Sequence, residues 1–172
     1  MSFFARLFKS EPDPRQDLRP LWHRIVELSR EPVFYRDDGV ADTVGGRFDM
    51  IAALLALVLL RMEREPVLAQ ESVLLTELFV ADMDAQLRET GVGDIVVGKH
   101  VGKLVSVLGG RLGAFREALT SNEQGPFEAA LERNTTMADE RGTGGLAKRL
   151  RQFYHHISAL DTKLLLAGEI TL

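Results

Sequence analysis

Apolar residues along the chain recur at spacings of three and four between Gly and Pro breaks, and no sustained period-two pattern appears. That periodicity predicts an all-α protein, a single-domain bundle of about six helices around a central apolar helix at 47–65. A first helix is expected from about Leu18 to Arg30, with Leu21, Ile25 and Leu28 facing inward and Pro32 stopping it. Val33 to Gly46, with Asp37-Asp-Gly39, reads as loop or a broken short helix. The central helix, Arg47 to about Glu65, is apolar nearly all round, as a helix buried in the middle of a bundle must be.

Pro66 opens the next predicted helix, where Leu75, Phe79, Met83 and Leu87 recur every four residues and Asp82, Gln86 and Glu89 fall on another side. Gly91 is its expected terminator. Val97, Val101, Leu104, Leu108, Leu112, Phe115 and Leu119 then form a seam crossed by Gly109-Gly110, where a kink or a close helix crossing is expected. A shorter helix is predicted from Gly125 to about Arg133, and Asp139 to Gly145 reads as loop. A last helix carries Leu146, Leu150, Phe153, Ile157, Leu160 and Leu164 to near Gly168.

Composition narrows the function. The 172 residues are 45% hydrophobic and 27% charged, which suits one folded domain. A formal net charge of −4 argues against general nucleic-acid binding, DNA included, because phosphate neutralisation needs a concentrated excess of Lys and Arg. There is no cysteine, so thiolate chemistry is excluded. The N-terminus lacks the apolar core of a secretory signal. The longest apolar run, Met50 to Leu60, is far short of the about 20 residues a membrane span needs.

Candidate chemistry fails on inspection. Gly93 to Lys99 has the GxxxxGK spacing of a phosphate loop, but His100 follows where Ser or Thr must hold magnesium, and a helix precedes it instead of a strand. A helix start capped by Asp94 explains the same residues. The acidic group Asp82, Asp84, Glu89 and Asp94 lacks the glycine of a calcium loop, since Leu87 stands there. Asp84 and Arg88, four apart with the acid first, suit an intrahelical pair instead. His23, His100, His155 and His156 form no local metal-ligand pair. No catalytic residue, metal or cofactor is expected.

Residues 1–16 are expected to be a mobile amphipathic segment. If helical, it gathers Phe3, Phe4, Leu7 and Phe8 on one side, with Arg6 and Lys9 elsewhere, the makeup of a weak membrane-surface helix. A frayed terminus or docking on the protein's own surface are the alternatives.

Read continuously, Phe79-Val-Ala-Asp-Met-Asp-Ala-Gln-Leu-Arg-Glu-Thr-Gly-Val-Gly-Asp-Ile-Val-Val-Gly-Lys-His-Val-Gly-Lys103 is similar to the signature of the ubiquinol-cytochrome c chaperone family. Arg47-Phe48-Asp49 and Trp22 support the resemblance, which covers Leu21 to about Leu119 and leaves the last fifty residues alike only in helical character. It implies that 17–172 is a helical chaperone domain for respiratory complex III, which binds nascent or newly inserted cytochrome b without nucleotide hydrolysis. In mitochondrial relatives a small partner chaperone and the ribosome exit region take part. The chain looks like a bacterial form, cytoplasmic and peripheral at the inner membrane. Within the similar stretch, Asp82, Asp84, Arg88, Asp94, Lys99 and Lys103 are the candidates for a client or partner surface. A generic helical adaptor or membrane-surface protein is the competing reading.

Overall fold

The computed structural model describes residues 13–89, 94–138 and 142–172, apart from the side chains of 87–89 and 94–101. It is an all-α, single-domain bundle. Its longer helices are α1 (Arg19–Ser29), α3 (Val44–Met62), α4 (Ala69–Glu89), α5 (Asp94–Ala118), α6 (Gln124–Asn134) and α7 (Gly144–Ala159). Two short ones, α2 (Pro32–Arg36) and α8 (Thr162–Leu166), complete the set among the described residues.

Helix α3 is the axis. From Met50 to Met62 every residue is buried, and α1, α4, α5 and α7 pack round it. Its start is fixed by Thr43, whose hydroxyl accepts a hydrogen bond from the Gly46 N–H at 3.2 Å, so it begins three residues before the expected Arg47. Gly46 is required there: a Cβ would stand 1.9 Å from the Ala41 carbonyl oxygen. On α1, Leu21, Ile25 and Leu28 form the inner face as the spacing predicts. Pro32 does more than end α1, since it occupies the first turn of α2, where its missing N–H costs nothing.

Two expectations need correction. The seam from Leu146 to Leu164 is not one helix. Leu160 is extended, and the Asp161 carboxylate accepts from the Lys163 N–H at 2.8 Å to start α8. Arg61 of the central helix stabilises this break, donating to the carbonyls of Ile157 and Leu160 at 3.1 and 3.2 Å, the first of which also accepts from the Leu160 N–H. At Gly109-Gly110, α5 runs unbroken and exposed, with no atom within 4 Å of either virtual Cβ. Close helix crossing is therefore absent there.

Three families of contact join the helices. The Trp22 ring meets Phe79 edge-on at 6.0 Å, and Phe48 lies 6.1 Å from the same ring, so α1, α3 and α4 share one aromatic cluster. Phe115 and Phe127 join α5 to α6 at 5.1 Å. The third is polar: Arg111, buried on α5, donates to the Asp49 carbonyl and carboxylate of α3, both at 2.9 Å, and to the Asn134 carbonyl.

Candidate functional site

Residues two apart on a helix point about 200° away from each other, and on α4 this splits the acidic candidates. Asp82 lines a cleft of about 580 Å³ between α1 and α4, with Arg15, Arg19, Trp22, His23 and Ala85. Asp84 lines a separate groove of about 600 Å³ between α4 and α5.

The second groove is the more apolar. Leu59 of α3, Val80 of α4 and Leu112 of α5 form its base, and Val73 and Val105 stand on opposite helices, 59% and 47% exposed. Exposed valines on facing helices are informative because both lie off the stripes that bury each helix. The hydroxyls of Ser72 and Thr76 do not wet this surface. Each donates back to the carbonyl four residues earlier, Leu68 at 2.9 Å and Ser72 at 2.8 Å, leaving carbon atoms toward the groove. Charge sits at the rim, where Glu63 pairs with Arg116 at 2.7 Å, Arg15 pairs with Asp13 at 2.8 Å, and Glu77 and Asp84 add carboxylates. The Glu63 carboxylate in turn raises the affinity of Arg116 for its proton. An apolar base with a charged rim suits an amphipathic helix laid into it. Among the described residues, no group of three His, Asp or Glu is placed to hold a metal.

The wall that carries Val105 depends on a polar junction behind it. Arg111 is only 2% exposed, and burial lowers the affinity of its guanidinium for the proton, an effect the Asp49 carboxylate opposes without cancelling. The other Asp49 oxygen accepts from the Thr136 N–H and hydroxyl at 2.9 and 2.8 Å. Asp49 thus joins α3, α5 and the segment after α6. This gives the Arg47-Phe48-Asp49 triplet a physical role: Phe48 packs on Phe79, Asp49 holds Arg111, and Arg47 makes a surface pair with Asp42 at 2.7 Å.

The six sequence candidates do not converge on one surface in the described part. Asp82 and Asp84 face different clefts, and the Gln86 amide reaches Asp82 at 3.5 Å. Lys103 is exposed on α5 and is not among the residues lining the groove. The side chains of Arg88, Asp94 and Lys99 lie outside the described residues, as do the Asp84–Arg88 pair and the turn at Gly91. So do Phe3, Phe4, Arg6, Leu7, Phe8 and Lys9. Sequence reasoning missed Val73 and Val105; the available signal was an apolar residue on a face otherwise polar.

An all-α bundle with an apolar groove between α4 and α5 is the class the fold defines. A family profile described as ubiquinol-cytochrome C chaperone matches residues 36–172. The chain belongs to that family. The match runs to the C-terminus, so the last fifty residues share more than helical character. The crystal structure of the Cbp3 homolog from Brucella abortus is similar at 31% identity and a TM-score of 0.79, covering 90% of this chain and 87% of that one. No match was found among curated proteins.

Proposed function

We propose that this chain is a non-enzymatic assembly chaperone for the cytochrome bc1 complex, and that it holds an apolar segment of newly made cytochrome b in the α4/α5 groove. The observation that carries the reading is the pair of exposed valines, Val73 and Val105, over an apolar base in a chain of this family. A membrane protein's unassembled helix is an apolar rod whose surface must be kept from water until it is inserted or paired. A groove between helices shields one face of such a rod and releases it without nucleotide. Glu77, exposed at the rim, then favours segments flanked by basic residues.

The chain works at the cytoplasmic side of the inner membrane as a peripheral protein, in this reading; no helix among the described residues is long and apolar enough to cross a membrane. A small partner chaperone or the ribosome exit region would occupy a different face. Photo-crosslinking tests the site. A benzophenone amino acid replacing Val105 or Val73 is expected to capture cytochrome b in cells, while one replacing exposed Lys148 on α7 is not. Capture of cytochrome b only from Lys148 would move the site, and capture of an unrelated soluble protein from Val105 would favour a generic adaptor.

A further inference from the structure

We propose that residues 1–12 of this chain dock in the α4/α5 groove of the same molecule. The groove is within their reach. Asp13, the first described residue, holds Arg15 at 2.8 Å, and Arg15 itself lines the groove. Phe8 lies five residues before Asp13, so an extended tether carries it up to about 17 Å from there. An amphipathic helix over residues 1–8 would span about 12 Å and fits within the α4 stretch lining the groove, Ser72 to Asp84, which spans about 18 Å at the same rise.

Chemistry selects this groove over the other one within reach. The segment offers Phe3, Phe4, Leu7 and Phe8 for an apolar base, and its charges are Arg6, Lys9 and the terminal amine against Glu11. The α4/α5 groove is the more apolar of the two, with Leu59, Val80 and Leu112 at its base, Val73 and Val105 beside them, and Glu63 at its rim already paired with Arg116. The α1/α4 cleft, which Arg15 also lines, is the more polar, walled by Arg19, His23, Arg30, Glu27 and Asp82, and suits a Phe-rich segment less well. A tethered occupant also accounts for two valines left exposed on facing helices. That a client must displace the segment follows only if the groove is the client site proposed above; the docking itself does not rest on that reading.

The absence of native cysteine makes a direct test clean. Three full-length double variants, F8C/V105C, F8C/V73C and F8C/H23C, are oxidised mildly as purified protein with no client, after thermal unfolding shows them equally folded. Tethered thiols meet at a millimolar-order effective concentration, so a docked segment gives an intramolecular disulfide in most chains of the V105C or V73C pair and about fivefold less in the H23C pair. Equal or higher yield with H23C overturns the proposal, as does a product consisting only of cross-linked dimers. Flotation of the full chain with phosphatidylglycerol vesicles, together with no cross-link in their absence, assigns the segment to a lipid surface and also overturns it. Because no client is present, docking and the client reading fail independently.

Discussion

Replacing Asp49 by Ala tests the junction that holds the groove's α5 wall. The carboxylate accepts from Arg111 at 2.9 Å and from the Thr136 N–H and hydroxyl at 2.9 and 2.8 Å, while Arg111 is 2% exposed. Thr136 is exposed and can turn to water, so its share of the loss is small. The guanidinium cannot. Leaving a buried charge without its partner costs about 3–5 kcal/mol, a large part of the about 5–15 kcal/mol that a domain has in total. With a urea slope of about 2 kcal/mol per molar, the unfolding midpoint of D49A should fall by roughly 1.5–2.5 M. Removing both charges in D49L/R111M should destabilise less than the two single changes added together, since neither charge is then stranded. Hydrogen exchange should show α5 amides losing protection in D49A. A midpoint shift under about 0.5 M, or strictly additive losses in the double variant, would refute this account of the pair.

Other consequences follow from the same contacts. G46A should fail to fold or unfold at much lower urea, because its Cβ would stand 1.9 Å from a backbone oxygen; full stability by circular dichroism would contradict the tight entry to α3. G168A meets both a φ of +78° and a carbonyl of Pro20 at 2.8 Å, and should cost about 1–3 kcal/mol in the same assay. R61M removes the side-chain donor to the Ile157 and Leu160 carbonyls and should speed hydrogen exchange in α8 more than in α1. The Thr162 hydroxyl and Arg61 hold the Glu65 carboxyl below its usual 4.5. A lowered folded-state pKa gives stability that is fully present above 4.5 and lost as pH falls through the folded value, so E65Q should flatten stability against pH only below 4.5. A flattening at neutral pH would be wrong for this pair.

The helical order was legible because apolar spacing reports burial, and α3, apolar on every side, had to be central. The split at Leu160-Asp161 was not legible. Its cause is a guanidinium from α3 that reaches carbonyls far along the chain, and spacing within one segment holds no trace of that. Arg111 shows the same limit, a charged residue in an apolar seam whose partner, Asp49, is distant in sequence. For the site, the stretch Phe79 to Lys103 drew attention to charges, and these divide between two clefts once α4 is helical. The apolar residues Val73 and Val105 belong to a groove only after α4 and α5 pair. Local pattern found the helices; pairing between them made the surface.

Complementation of a strain lacking the gene bears most directly on the groove as the client site. Val73 and Val105 are exposed, so V73E/V105E should change stability by less than about 1 kcal/mol while placing two charges on the groove's apolar faces. The readout is the cytochrome b haem spectrum and bc1 activity at matched chaperone levels. The wild-type chain should restore both, and V73E/V105E should restore neither although it folds with an unchanged unfolding midpoint. Full rescue by that variant would contradict the account.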